Sequence, residues 1–383
     1  MQKQLLALAT FSGTIIGVGL FGLPYVTSRI GFGPILLYFL ALGCVILSIH
    51  LMYGEVVCRT NEPHRLPGYV KLYLNAKLAK LSAVTTTLGL TGALLAYLMV
   101  GGGFLANLLQ PIFGGTEILY VFFFFASGAI IIYFGSGSVS RTELLSLGIF
   151  FLVLAILFYK SLAHIDFDNY LHVDMRYALL PYGVILFSMM GTAVIPETKE
   201  ILGRNQESKL LRLIAAGTII PIITYLLFVI TVVGVTGADT TQEGLRGLHL
   251  ALGDGVVYFG FLFGILTTFT SYLALGITLK KQFVLDLGLR AFPAWLLAVI
   301  PSFLLYLLGM KDFIVLIGFI GAGLGAIDMT LVVLTFLRSK TRGQRVPPYL
   351  FSQNKILIGA ILTLFLVGFV LEIAGVLGVG LTV

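Results

Sequence analysis

The sequence predicts an all-α integral membrane protein with eleven transmembrane helices. Of its 383 residues, 58% are hydrophobic and only 11% are charged, and the mean hydropathy is +1.03, whereas about a quarter of the residues of a typical soluble domain are charged. Apolar runs without charged residues recur along the whole chain, most of them near the ~20 residues that a helix needs to cross a bilayer. These runs lie at 5–26, 33–49, 83–113, 118–140, 144–159, 177–196, 213–238, 255–279, 291–310, 313–327 and 356–371. Because the alternating pattern of a membrane β-barrel is missing from the sequence, we expect helices.

The basic residues predict how the spans are oriented. If the N-terminus is cytoplasmic, most lysines and arginines fall in inner segments, as the positive-inside rule requires. The exceptions on the outer side are Arg29, Lys160, Arg176, Arg246 and Lys311. An odd number of spans then places the C-terminus outside, in a multi-pass protein of the cell membrane. The net charge of +7 reflects this topology and gives little support to nucleic-acid binding, while the sequence is silent on the oligomeric state.

The polar connections between the spans are too short to fold alone, so residues 1–383 are expected to form a single transmembrane domain. The inner segment LPGYVKLYLNAKLAKL, residues 66–81, has apolar residues at helical spacing with lysines between them. It is predicted either as an amphipathic helix on the membrane surface or as a solvated loop.

The first span contains the residues that most weaken a helix. The stretch GTIIGVGLFGLP, residues 13–24, carries four glycines and a proline. Close helix packing through small residues or a kink at Pro24 would account for such a stretch. A second interruption, FSMMGTAVIPE at 187–197 in the sixth span, favours a third explanation, because broken spans in corresponding halves are typical of transporters built from inverted repeats.

The two interruptions therefore predict a five-plus-five inverted repeat with discontinuous first and sixth helices. Repeat one covers about 5–160, repeat two about 177–338, and a peripheral eleventh helix about 354–381. Unwinding a helix at mid-membrane frees amide groups at the positive end of one half-helix, where an anion binds. It also frees carbonyls at the negative end of the other half-helix, where a cation binds. A zwitterion suits both ends.

Four motifs carry a resemblance to a known family. GTIIGVGLFGLPY resembles the first span of the amino acid/auxin permease family, within the amino acid-polyamine-organocation superfamily. YGEVVCRT, LFSMMGTAVIPE and TSYLALGITL are similar to the inner end of the second span, the sixth span and the eighth span of the same permeases, in the same order. The resemblance implies the leucine-transporter fold and an amino acid as substrate.

The resemblance also implies which residues bind the substrate. The amides of Gly17, Val18 and Gly19 would receive its carboxylate, with Tyr97 nearby. The carbonyls of Ile15, Phe187 and Ser188 would receive its amino group, and Phe187 would act as an aromatic gate. Gly191 and its small neighbours would leave room for a bulky apolar or aromatic side chain.

A coupled cation is predicted beside the first break. Thr267, Thr270 and Ser271 share one face of the eighth span, and with the carbonyls of Gly13 and Ile16 they match, by resemblance, a sodium site. The alternative is that these hydroxyls bond only to their own helix. Proton coupling remains open, although the fifth span lacks the lysine that proton-coupled relatives carry. Gly13 and Leu20 stand where sodium-coupled relatives have an asparagine, which makes a second sodium site doubtful.

Asp328 in the tenth span is the most deeply placed acid, and it is interpreted as a structural group or as a proton carrier. An enzyme is not expected, since the histidines are scattered and no nucleophile with a base is apparent. We therefore expect a secondary active transporter that imports a neutral amino acid with Na⁺ or H⁺, with no cofactor besides this ion. An ion channel and an amino acid sensor on the same fold are the alternatives.

Overall fold

The computed structural model describes residues 2–135, 139–245, 247, 248 and 254–376, and within these ranges it is all helical. The fifteen α-helices of the described residues are α1 Gln2–Ile15, α2 Gly19–Ile30, α3 Phe32–Arg59, α4 Leu66–Tyr73, α5 Ala76–Phe113, α6 Glu117–Phe134, α7 Val139–Ser161, α8 Leu180–Met189, α9 Ile195–Leu202, α10 Leu210–Thr236, α11 Asp254–Leu285, α12 Ala291–Leu307, α13 Phe313–Phe319, α14 Gly325–Arg342 and α15 Lys355–Val376. The predicted end of the last helix at residue 381, and Arg246, lie outside the described residues.

The predicted membrane architecture is confirmed. Among the described residues, nine helical segments are long and apolar enough to cross a membrane, counting α8 with α9 and α13 with α14 as continuous segments. The bent pair α1 and α2 makes a tenth, and α12 is a shorter apolar helix of 17 residues. Each of the eleven apolar runs in the sequence overlaps one of these segments. The boundaries of the two repeats stay a prediction.

Both predicted interruptions are breaks in the helices. The axes of α1 and α2 differ by 43°, and the break lies at residues 16–18, so it arises at the glycines; Pro24 lies within α2. In the sixth span α8 ends at Met189, a short 3-10 turn covers Thr192–Val194, and α9 begins at Ile195. Pro196 is in the first turn of α9, where the missing amide hydrogen costs nothing.

The half-helices of the first span pack on different neighbours. Helix α1 packs against α7, α9 and α10, whereas α2 packs mainly against α8 and α10. The break in the first span therefore faces the break in the sixth span.

A third irregularity was not predicted from the sequence. One π-helical turn, Ile320–Leu324 with the sequence IGAGL, joins α13 to α14. A Cβ atom at Gly321 would overlap the backbone of α8 near Gly183 and Phe187. Glycine at this position lets the tenth span pass close beside the sixth.

The inner segment is helical and packed into the protein. Helix α4 buries six of its eight residues, among them Tyr69 and Tyr73, and it contacts α5 and α14. Residues 76–81 belong to α5. The segment therefore neither lies on the membrane surface as one helix nor forms a solvated loop.

Candidate functional site

A cavity lies between the two broken spans. Thr14, Ile15 and Gly19 line it from the first span, and Phe187 and Ser188 line it from the sixth. Its other walls come from α5, α11 and the tenth span, where Leu90, Ala93, Leu275, Ile320 and Leu324 are apolar. The cavity thus combines unwound backbone with a largely apolar lining.

The N-terminus of α2 supplies amides at one side of the cavity. Val18 and Gly19 begin this half-helix, and their amides precede its first intrahelical hydrogen bonds, whereas the predicted Gly17 amide donates to the Thr14 carbonyl over 3.3 Å. The positive end of the helix dipole lies at the same place. Gly17 and Gly19 allow a close approach here, because a Cβ at Gly19 would lie 2.5 Å from Ser188 Oγ and one at Gly17 would overlap the Tyr97 hydroxyl.

The C-termini of α1 and α8 supply carbonyls. Ile15 ends α1, and Ser188 is the penultimate residue of α8. Tyr225 of α10 reaches both residues: its hydroxyl is 2.6 Å from the Ser188 carbonyl oxygen and also contacts the Ile15 carbonyl oxygen. The Phe187 carbonyl accepts a hydrogen bond from the Met190 amide over 3.1 Å. The predicted acceptors for an amino group are therefore brought together, and the carbonyls of Ile15 and Ser188 share the single Tyr225 hydroxyl as donor.

The other residues predicted to bind substrate differ in their positions. Tyr97 is buried on α5 and lines the cavity against Gly17. Gly191 donates its amide hydrogen to His50 Nε2 over 3.1 Å, and a Cβ there would meet the side chains of Ile15 and Phe11. Gly191 thus faces away from the cavity lining that contains Tyr97, and its contact with substrate stays a prediction.

Two of the predicted cation ligands, Gly13 of α1 and Ser271 of α11, are in contact. Ser271 Oγ donates to the Gly13 carbonyl over 3.2 Å, so the two elements meet as the site requires. Thr267 Oγ1 is buried and has no hydrogen-bond partner among the described residues. Thr270 Oγ1 donates to the Thr267 carbonyl of its own helix over 3.2 Å. Thr270 therefore matches the alternative in which a hydroxyl bonds only to its own helix. Ser271 bonds to α1 instead, and the Thr267 hydroxyl has no partner in the described ranges.

His50 links the break in the sixth span to two other helices. The Gly191 amide donates to its Nε2, so Nε2 carries no hydrogen, and Nδ1 then donates to Thr218 Oγ1 over 2.9 Å. Thr218 in turn donates to the Ile214 carbonyl over 2.8 Å. The fully buried ring is therefore a neutral imidazole that replaces a helical acceptor lost at the break.

Substitution of His50 tests whether its ring takes the place of the lost helical acceptor. His50→Leu leaves the Gly191 amide buried without an acceptor, which costs about 1–3 kcal/mol, so the apparent melting temperature of the purified protein is expected to fall. His50→Gln, whose amide carries both an acceptor and a donor, is expected to recover part of the loss. Equal melting temperatures for wild type and His50→Leu would show that the hydrogen bond contributes nothing.

Comparison with known protein families matches residues 1–374 to the tryptophan/tyrosine permease family. The chain belongs to this family. The assignment to the amino acid/auxin permeases, suggested by the motifs, is not confirmed by this match. Membership in a permease family identifies a multi-pass membrane transport protein and no enzyme.

Two relatives of this permease come from Haemophilus influenzae. Tyrosine-specific transport system 1 is 25% identical over 381 residues, covering 94% of both chains, and tyrosine-specific transport system 2 is 24% identical over 249 residues, covering 61% of both. Among solved structures, MhsT in complex with L-phenylalanine has a TM-score of 0.72 at 14% identity, with 99% of both chains covered. The nucleobase-cation symporter MHP1, in a closed conformation with bound bromovinylhydantoin, has a TM-score of 0.66 at 12% identity, covering 98% of this chain and 92% of that one. These structures confirm the leucine-transporter fold.

A buried ion-pair cluster closes the permease on its predicted cytoplasmic side. Arg65, whose side chain is 2% exposed, lies 3.5 Å from Glu197 and 3.3 Å from Glu200, both on α9. Lys281 of α11 lies 2.5 Å from Glu197, and Thr278 donates to the same carboxylate over 2.8 Å. Burial opposes the charge of Arg65, but the two carboxylates outweigh burial and raise the pKa of its guanidinium. We call Arg65, Glu197, Glu200 and Lys281 the inner cluster.

Apolar packing closes the opposite side. Gly22 of α2 lies against Phe313, Ile314 and Ile317 of α13, and Phe21 packs edge to face on Phe104 and Phe228. The two sides are thus closed by different chemistry, since the inner one depends on charges and the outer one on apolar contact.

Asp328 lies at the inner end of the cavity. Its side chain is buried, and it accepts a hydrogen bond from Thr85 Oγ1 over 2.5 Å. No lysine or arginine in the described ranges forms an ion pair with it, whereas Glu55 is paired with Arg59 and Lys340. If Asp328 has a structural role, it links α14 to α5 through the neutral Thr85 hydroxyl.

Proposed function

We propose that this permease imports an aromatic amino acid, with tyrosine and tryptophan as the first candidates, by cation-coupled alternating access. The observation that carries the proposal is the pair of facing breaks around one cavity. The amides at the start of α2 would bind the carboxylate of the substrate, and the carbonyls of Ile15 and Ser188 would bind its ammonium group. The names of the two relatives from Haemophilus influenzae support an aromatic substrate.

The lining of the cavity supports a large apolar side chain. Gly89 and Ala93 of α5 leave space between larger apolar residues such as Leu90 and Ile320. An aromatic side chain buries about 150–250 Å² of surface, and this burial would supply much of the affinity. We propose that the main-chain groups of the substrate are held at the breaks while its ring occupies this apolar part.

For the coupled ion we propose Na⁺ bound by the Gly13 and Ile16 carbonyls and the hydroxyls of Thr267, Thr270 and Ser271. Oxygen ligands without a thiolate or imidazole suit a hard cation. The buried Thr267 hydroxyl without a partner in the described part of the chain supports this site. Proton coupling through Asp328 is the second candidate, because its carboxyl is buried at the cavity without an ion pair.

Uptake by proteoliposomes tests the substrate and the orientation of transport. Labelled tyrosine, tryptophan, phenylalanine and leucine are supplied under separate sodium and proton gradients. Saturable, exchangeable uptake of the aromatic amino acids supports the proposal. Conduction that is insensitive to amino acids would indicate a channel, and binding without uptake would indicate a sensor.

Substitutions on α11 test the coupled ion. Ser271→Ala and Thr267→Val each remove one oxygen, so the sodium concentration for half-maximal uptake is expected to rise about tenfold, as for a loss near 1.4 kcal/mol. Thr268→Ala is the matched control, because Thr268 Oγ1 donates to the Gly264 carbonyl of its own helix over 2.6 Å. If uptake follows the proton gradient, survives Ser271→Ala and is lost in Asp328→Asn, the coupled ion is a proton and the sodium proposal is wrong.

A further inference from the structure

One hydroxyl group connects the two helix breaks. Tyr225 is fully buried on α10, and its Oη contacts the carbonyl oxygens of Ile15 and Ser188. Ile15 belongs to the first span and Ser188 to the sixth. A single atom from a third helix thus contacts the last turns of two half-helices at the point where their carbonyls lose their helical partners.

This hydroxyl has fewer hydrogens than the carbonyls can accept. A phenol donates one hydrogen bond, so at any moment Tyr225 satisfies either Ile15 or Ser188 and leaves the other carbonyl in need of a donor. Ile15 and Ser188 both line the cavity, and Tyr225 reaches them from behind this lining. The donor that is still needed can therefore come from the cavity.

We infer that Tyr225 is a positioning residue for the amino group of the substrate. By donating to one carbonyl, its hydroxyl holds both carbonyl oxygens near a common point, and the ammonium group donates to the one that remains. The inference rests on the proposed function and deepens it, because it names the group that organises the ammonium site.

The same contact offsets the repulsion between the two carbonyl oxygens that Tyr225 joins. Two carbonyl oxygens that face each other repel, and a cation or a donor must lie between them. A neutral hydroxyl is cheaper to bury than a charge. Tyr225 thus bridges the two carbonyl oxygens without burying a charge between them.

The test compares tyrosine with des-amino-tyrosine, which lacks the amino group. Both compete with labelled L-tyrosine for the purified full chain of wild type and Tyr225→Phe. We expect Tyr225→Phe to weaken the binding of L-tyrosine about tenfold and that of des-amino-tyrosine less than twofold, because only L-tyrosine uses the ammonium site. Tyr170→Phe is the matched control, since the Tyr170 hydroxyl donates over 2.7 Å to the Ile230 carbonyl of α10, the helix that carries Tyr225; it should change neither value.

Three results would overturn the inference. Equal weakening of both compounds would indicate a general packing role, unchanged binding would show that the hydroxyl does nothing, and tighter tyrosine binding would show that it competes with the ammonium group. Where Tyr225→Phe does not survive detergent, the same competition is measured on uptake by membrane vesicles. If wild type binds no aromatic amino acid, the proposed substrate class fails, and leucine with its des-amino analogue tests Tyr225 separately.

Discussion

Gly19→Ala is expected to reduce uptake of the aromatic substrate to about 1% of wild type while the protein is still inserted. The new Cβ would lie 2.5 Å from Ser188 Oγ and 2.6 Å from Ser188 Cα, so backbone must move and α2 must separate from α8. A displacement of about 1 Å at a binding site costs on the order of 100-fold in rate. Initial uptake rates, normalised to the amount of protein in the membrane, measure the effect.

Gly103→Ala is the matched control for this prediction. Gly103 is also a helical glycine in a membrane span, and apart from its own helix backbone no described atom lies within 4 Å of the Cβ that would be added. We expect Gly103→Ala to transport at the wild-type rate. Wild-type uptake by Gly19→Ala would show that the close approach of the two half-helices is not needed for binding.

Arg65→Gln is expected to open the permease on its predicted cytoplasmic side. Removing one partner of a buried ion pair costs about 3–5 kcal/mol, and the cost falls on the closed state, in which Arg65 contacts Glu197 and Glu200. A difference of this size shifts a two-state equilibrium more than 100-fold. We therefore expect a large fall in concentrative uptake and faster labelling, from the cytoplasmic side, of a cysteine introduced by Ala193→Cys in a background without Cys44 and Cys58.

Two further variants make this prediction specific. Arg176→Gln removes an arginine whose side chain is 85% exposed and pairs with Asp174, and exposed pairs contribute only about 0–1 kcal/mol, so no change in labelling is expected. Adding Glu197→Gln to Arg65→Gln removes a carboxylate that has lost one of its two cationic partners and keeps only Lys281, so it should restore part of the closure. Slow labelling in Arg65→Gln alone would mean that the inner cluster does not hold this side closed.

The membrane spans and the positions of both helix breaks could be predicted from the sequence. Apolar runs near 20 residues in length are a strong signal in a membrane protein, because lipid allows few other structures. The breaks were visible because glycine and proline weaken helices wherever they occur. In the first span the helix breaks beside Gly17 and Gly19 and continues through Pro24. The π-helical turn at Ile320–Leu324 gave no comparable signal, because a run of small residues also suits a regular helix.

The polar partners of the breaks could not be predicted from one sequence. Tyr225 is one of 17 tyrosines, and nothing near it in the chain marks a hydroxyl that contacts two distant carbonyls. His50 is a polar residue in an otherwise apolar span, and its bond to Gly191 joins residues 141 positions apart. Arg65 lies in a short connection that resembled any basic inner loop. Such contacts depend on tertiary packing, and the local pattern of residues does not contain them.

The central claim is that backbone groups at two breaks bind both charged ends of one amino acid. Competition against labelled L-tyrosine by tyramine, which lacks the carboxylate, and by des-amino-tyrosine tests it most directly. Charge-assisted hydrogen bonds contribute about 1.5–3 kcal/mol each, so the loss of either end is expected to weaken binding about 100-fold. Competition by either analogue as strong as that of L-tyrosine would contradict the account.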